Sequence, residues 1–282
     1  MDIAIFYSLG RKPTIIVIGE SGTGKSSCCN VFAGQPHDSK LFPVSRYSEE
    51  TTHETKIYSA DFRGDRDHPV TLIDTQGFND PNAEGESRRE ANQAIIMELM
   101  KKLTKVSHIN VFLITVNGTT LRRLNHSLVY MLRVFEEIFG HKIVKGSVAK
   151  DKDMFWRKCV VAITNIPMDK QSVIRRVGFY DVKRDKQIIR KQLSELTKEL
   201  KGLKVLKFVI LDAKFRENST EEANAFNDAV NHLYEIMSKT APAMTEAMLL
   251  QHQTQYQERK MLLQKLESIE ALDNPGNVFF KI

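Results

Sequence analysis

Eight consecutive residues, Gly19-Glu20-Ser21-Gly22-Thr23-Gly24-Lys25-Ser26, follow the spacing G-x-x-x-x-G-K-[ST]. That pattern suits one task, the enclosure of a chain of phosphates. The glycines let the backbone turn until successive N–H groups point at phosphate oxygens, and a helix starting there adds its positive end. Lys25 would reach the beta and gamma phosphates, the Ser26 hydroxyl would take a position on Mg2+, and Ser27 would continue the cradle into the helix. A second set lies downstream, where Val70-Thr71-Leu72-Ile73 runs into Asp74-Thr75-Gln76-Gly77. An acid ending a buried strand there supplies the metal-side carboxylate, acting through water, and the Gly77 N–H can meet the gamma phosphate. The Gly77 loop would then move when that phosphate leaves.

Such groups need a rigid frame. Apolar, β-rich runs recur at Thr14 to Ile18, Val70 to Ile73, Ile109 to Val116, Cys159 to Thr164 and Lys207 to Leu211, separated by segments of helical periodicity. The alternation predicts an α/β fold, a P-loop NTPase three-layer sandwich whose central, mostly parallel sheet carries helices on both faces. Helices are expected after Gly24 and over Ser87 to Leu103, Leu121 to Ile138, Asp185 to Leu200 and Thr220 to Ser238. Residues 34–69 read as a loop-rich insertion between two strands, with one strand-like run from Lys56 to Phe62. Ala241-Pro242-Ala243 punctuates the chain. The domain reading is therefore a nucleotide-binding domain over 1–240 and a C-terminal helical extension over 241–282, expected to pack back onto the domain.

Composition narrows the class. With 282 residues, 41% hydrophobic and 27% charged, the chain can fill a core and is neither a disordered tract nor a disulfide-stapled miniprotein. The three cysteines, Cys28, Cys29 and Cys159, have no metal-ligand spacing and read as reduced thiols. Neither a secretory leader nor an apolar run long enough to span a bilayer is recognisable. Asp2 and the C-terminal residues match no myristoylation or prenylation signal. The expected location is intracellular and cytoplasmic, with membrane contact at most peripheral. The net charge of +6 equals the excess of residues 170–191, where eight basic side chains face two acidic ones. A solvated helix face explains that segment better than a nucleic-acid surface, and no specific nucleic acid is expected.

Together these residues resemble a translation-factor-related GTPase, and more narrowly the GIMAP (immunity-associated nucleotide-binding) family, within the septin- and Toc-like group. The resemblance covers about residues 12–240. It rests on Gly19 to Ser26, on Phe42-Pro43-Val44-Ser45 leading to Thr51-Thr52-His53-Glu54-Thr55, on Asp74-Thr75-Gln76-Gly77-Phe78-Asn79-Asp80, and on Phe139-Gly140 with Phe155-Trp156. It implies GTP or GDP with Mg2+ as cofactors, and Thr52, or its neighbour Thr51, as the switch threonine that closes over the metal beside Ser26 and Asp74. It also implies self-association through the switch face as homodimer or oligomer.

Two departures from the usual pattern matter. The base-reading element, normally N/T-K-x-D, is here Thr164-Asn165-Ile166-Pro167-Met168-Asp169, with Asn165 in the lysine slot and the acid two positions late. Guanine remains the expected base, its edge read by Asn165 or Asp169, because a carboxylate accepting from two guanine N–H groups rejects adenine. Leu211-Asp212-Ala213-Lys214 follows the last core strand, where such proteins close over the base. Phe78 occupies the slot directly after the motif glycine, where many small GTPases carry a water-orienting Gln. Catalytic candidates are accordingly Gln76, Thr52 and His53, with Glu54 or a second subunit as further sources, and slow hydrolysis is expected. A non-hydrolysing GTP-dependent scaffold and an ATP-using P-loop enzyme such as a kinase are the alternatives.

Overall fold

The computed structural model describes residues 12–44, 54–78, 85–118 apart from 104 and 107, 132–136, 139–144, 147–150, 155–165, 187, 191, 207–211 and 220–239. Its centre is a six-stranded sheet in the order β2-β3-β1-β4-β7-β8. The strands are β1 (Thr14–Gly19), β2 (Lys56–Asp61), β3 (Pro69–Asp74), β4 (Val111–Asn117), β7 (Cys159–Thr164) and β8 (Lys207–Leu211). All neighbours are parallel except β2 and β3. The expected mostly parallel α/β sheet is therefore present. Residues 34–69 are corrected in part: β2 is no insertion but an edge strand of the main sheet, paired with β3 from Lys56↔Asp74 to Asp61↔Pro69. A second, two-stranded sheet pairs β5 (His141–Val144) with β6 (Ser147–Lys150), a hairpin that apolar periodicity had not marked.

Three helices are described at length: α1 (Lys25–Phe32), α2 (Gly85–Leu103) and α3 (Thr220–Lys239). Within the expected Leu121 to Ile138 segment, residues 132–136 are helical. Most of Asp185 to Leu200, and all of 241–282, lie outside the described residues.

Alternation along the strands divides the core into two layers. Ile15 and Val17 pack with Cys28, Cys29 and Phe32 of α1 and with Phe226, Val230 and Leu233 of α3. Ile16 and Ile18 face the other way, toward Ile95, Ile96 and Leu99 of α2 and toward Phe135, Phe139, Phe155 and Trp156. Phe226, Val230, Leu233 and Met237 recur at helical spacing and give α3 the apolar stripe that fixes it to the sheet. Each fully buried aliphatic or aromatic side chain contributes about 1.5–3 kcal/mol, so both faces of the sheet are firmly held. All three cysteines are buried free thiols. Among the described residues, no helix is long and apolar enough to cross a membrane.

Candidate functional site

Registers bring the reactive groups to one edge. Val17 lies opposite Asp74, Gly19 opposite Thr115 and Asn117 opposite Thr164, so β1, β3, β4 and β7 end side by side. The sheet order places β1 between β3 and β4, and the crevice beyond the strand ends at such a switch point is where open α/β sheets bind ligands.

The loop from Gly19 to Gly24 turns through left-handed backbone at Gly22 (φ 76°) and Gly24 (φ 84°), conformations that glycine adopts at little cost. Gly24 opens α1 with no side-chain cap and no acidic residue in the first turn. The first N–H groups of that helix therefore present positive charge toward the crevice. Lys25 folds back so that its Nζ donates to the Glu20 carbonyl at 2.8 Å, spanning the ring into which phosphates would fit. Ser27 sits in the first turn of α1 with its side chain buried. Gly19 has its own constraint, because a Cβ there would collide with the Thr115 hydroxyl and lie 2.8 Å from the Thr23 hydroxyl.

A hydroxyl network holds the loop to the sheet. The Thr23 hydroxyl donates to the Glu20 carbonyl at 2.8 Å and lies 2.7 Å from the Thr115 hydroxyl. Thr164 donates to the Thr23 carbonyl at 2.6 Å. The end of β7 is thus tied directly to the glycine-rich loop. Thr115 interrupts the apolar run Ile109 to Val116, and a lone hydroxyl in a strand buried on both faces is the signal that marks it. Asn110, the other interruption, accepts from the Thr14 N–H at 2.9 Å and pins the opposite end of β1.

Across β1, the second loop closes on the first. The Ser21 N–H donates to the Phe78 carbonyl at 3.0 Å, and the Phe78 N–H donates to the Gly19 carbonyl at 3.2 Å. Between them Gly77 lies so near Ser21 that an added Cβ would sit 2.7 Å from its Cα. Thr75 donates to the Val17 carbonyl at 2.9 Å, fixing the turn from beneath. Phe78 itself is wholly buried in the α2-side core, so its ring is a packing element and offers nothing to a water molecule. Gln76 is half-buried between Thr75 and Gly77.

Asp74 is the most perturbed group of the site. It is 0% exposed, and among the described residues neither carboxylate oxygen closes a well-formed hydrogen bond. Burial pushes its carboxyl up to about 6, opposed by the nearby Ser26 hydroxyl and by the charges of Lys25 and Lys56. A buried carboxylate short of well-formed hydrogen bonds, beside a serine hydroxyl at a helix start, fits a hard divalent cation with oxygen ligands. Ser26 and Asp74 would hold Mg2+, which would neutralise phosphate charge when bound.

Behind the site, the buried Asn30 of α1 donates through Nδ2 to the carbonyls of His37, Ser39 and Phe42, and its Oδ1 accepts from the Phe42 N–H at 2.9 Å. This side chain fixes the whole turn that leads from α1 to Phe42. On the opposite flank, Thr55 donates through its hydroxyl to Glu98 of α2 at 2.6 Å, while Lys102 reaches Glu54 at 3.1 Å. Glu54, a candidate water-orienting group, is therefore paired with a cation of α2. Neither Asn30 nor Glu98 was legible as a site residue, since each acts through contacts distant in sequence.

Asn165 follows β7 in left-handed backbone (φ 57°) beside Thr164 and is half-buried. Thr51, Thr52, His53, Asp169 and Asp212 to Lys214 lie outside the described residues. The structure thus gathers Gly19 to Ser27, Asp74, Gly77 and Asn165 at one edge. Phe139, Phe155 and Trp156 belong to the core, where the Trp156 indole donates to the buried Glu136 at 2.9 Å.

Residues 14–138 match the family model described as 50S ribosome-binding GTPase. This stretch, which includes β1 to β4 and both phosphate-side loops, is a GTP-binding P-loop G domain. No curated protein matches the chain. Among solved structures, it is similar to Toc33 from Arabidopsis thaliana in a dimerization-deficient mutant, at 14% identity over 85% of this chain and 90% of that one, with a TM-score of 0.54. It is also similar to Toc33 in complex with Mg2+ and GMPPNP, at 16% identity over 85% and 92%, with a TM-score of 0.51. LeoA, a bacterial dynamin GTPase from ETEC, aligns at 13% identity over 93% of this chain and 41% of its own, with a TM-score of 0.51. At these identities the likeness is one of fold.

Proposed function

We propose that this chain is a Mg2+-dependent guanine-nucleotide switch, a slow GTPase converting GTP to GDP and phosphate, which self-associates through its switch face in the triphosphate state. The observation that carries the reading is the contact of the two loops, with Gly77 against Ser21 and the buried Asp74 carboxylate beside the Ser26 hydroxyl. A gamma phosphate held by Lys25 would touch both loops at once, so its departure would be felt at Gly77 and along α2. Thr52 would complete the metal shell with Ser26 and Asp74. Asn165 and Asp169 would read guanine.

Slow turnover follows from Phe78, whose buried ring leaves the water-orienting task to Gln76, Thr52, His53 or a second subunit. The scaffold alternative keeps GTP binding and drops hydrolysis. The ATP-using alternative is disfavoured by the paired loops, which suit a sensor of the gamma phosphate better than a donor to a second substrate. Dimerization is a property of Toc33, the similar solved protein, and it supports a test of self-association here. Membership of the GIMAP family and an intracellular, at most membrane-peripheral location belong to the same reading.

Competition against bound fluorescent GDP tests it. GTP is expected to outcompete ATP at least about tenfold, roughly 1.4 kcal/mol; equal displacement by ATP would sink the guanine assignment. Light scattering with a nonhydrolysable GTP analogue, alongside phosphate release at several protein concentrations, tests association. A monomer in every state with constant turnover per molecule would leave a monomeric switch.

A further inference from the structure

Lys56 stands directly across from Asp74. The two are Cα partners at one end of the antiparallel β2–β3 ladder, and such partners carry their side chains on the same face with Cβ atoms about 5 Å apart. That face is the α1 side: Val70 and Leu72 of β3 pack there with Cys28, Cys29 and Phe32, Ala60 of β2 joins them, and the Tyr58 ring meets Phe42 edge-on at 6.0 Å. The same face receives Lys25 and Ser26 from the start of α1. Lys56 therefore shares this face with the buried carboxylate, one strand away from it.

The two lysines near Asp74 have different commitments. Lys25 is held in the phosphate loop by the Glu20 carbonyl at 2.8 Å, and a bound nucleotide would take its charge. Among the described residues, Lys56 makes only a long contact to the Leu41 carbonyl, 3.5 Å, at the outer limit of a hydrogen bond. Its backbone position is set by the strand pairing, so it stays on the Asp74 face whether or not phosphate is present.

We propose that Lys56 is a built-in counter-ion to Asp74 that competes with Mg2+ for the carboxylate and so sets how much Mg2+ the protein needs to retain nucleotide. The inference rests on the Mg2+-dependent nucleotide-binding reading. Without the divalent ion, Lys56 offsets a buried negative charge; with it, the same ammonium repels the second cation. Lys56 thus acts through Asp74 as a positioning residue.

Titration of MgCl2 against fluorescent GDP retention tests the proposal in wild type, Lys56→Met and Lys56→Arg. The Met variant should reach half-saturation at roughly three- to tenfold lower Mg2+, the scale of one partly screened charge, and Arg should restore the wild-type value. Thermal unfolding of nucleotide-free protein in EDTA gives a readout independent of turnover. There the Met variant should melt a few degrees below the Arg variant, having lost the counter-charge. Unchanged or increased Mg2+ demand in Lys56→Met, with wild type clearly Mg2+-dependent, would overturn this inference alone. A wild type that holds GDP equally well in EDTA would overturn the metal reading and this inference with it.

Discussion

The phosphate end and the base end of the crevice are built on different principles. At the phosphate end, between β1 and β3, recognition is by backbone: left-handed glycines, an uncapped helix start, and two loops bonded through Ser21, Phe78 and Gly19. At the proposed base end, beyond β7, the same role would fall to side chains, and the described part consists of Thr164 bonded to Thr23 and Asn165 in left-handed backbone. Backbone recognition demands fixed spacing and glycine at given places. Side-chain recognition tolerates a longer loop, provided that some carboxylate or amide arrives at the base edge.

The contrast can be broken at several points, beginning with the largest expected effect. Lys25→Ala should abolish nucleotide binding, because charge-assisted contacts of roughly 1.5–3 kcal/mol each are lost at two phosphates. Affinity for fluorescent GTP should fall at least about 100-fold, and equal affinities would refute the phosphate loop. Asp74→Asn should act oppositely on stability. A carboxyl raised to about 6 from an ordinary value near 4 in the unfolded chain favours folding while protonated in the native state. That contribution is complete below about pH 4 and is lost as pH rises through about 6. Nucleotide-free protein in EDTA at pH 7.5 should therefore be about 2–3 kcal/mol more stable with Asn, the gap closing toward pH 4, while Mg2+ dependence of GDP retention disappears. Urea unfolding at the two pH values checks the sign.

Gly77→Ala tests whether the two loops must touch. Its methyl group would meet the Ser21 backbone, so a cost of about 1–3 kcal/mol in urea unfolding is expected, together with weaker GTP binding. Asp169→Asn, the smallest change, should reduce the preference for GTP over ATP by about tenfold, roughly 1.4 kcal/mol, and leave phosphate affinity for GDP nearly intact. A larger loss of overall affinity than of selectivity would mean that the base end also supports the phosphate loop, as the Thr164–Thr23 bond already does from its near side.

The same contrast explains how far the sequence could be read. The strands β1, β4 and β7 were legible because both their faces are buried, which makes near-continuous apolar runs, β3 and β8 were legible from their mostly apolar residues, and the phosphate loop was legible because its geometry needs glycine. β2 was legible as the strand-like run Lys56 to Phe62, but its place in the main sheet was not, because it is an edge strand in a polar stretch with half its residues toward solvent: Tyr58, Ser59 and Asp61 are exposed. The β5–β6 hairpin is only two four-residue strands, too short for a periodicity signal. Asn30, Thr115 and Glu98 escaped because each bonds to partners brought near only by the fold. The expectation that Phe78 orients no water was physically grounded, since a large apolar side chain next to a buried strand goes into the core.

The paired loops also divide the main chain of the site by its readiness to exchange hydrogen with solvent. In the free protein the amides of Ser21 and Phe78 are already engaged across the gap between loops, and their release requires the loops to part. The amides at the start of α1 have no capping side chain, and an anion bound there would add an acceptor. Deuterium labelling should therefore find Ser21 and Phe78 slow to exchange before any nucleotide arrives and Lys25 and Ser26 slowed by its arrival, so that one site keeps two clocks.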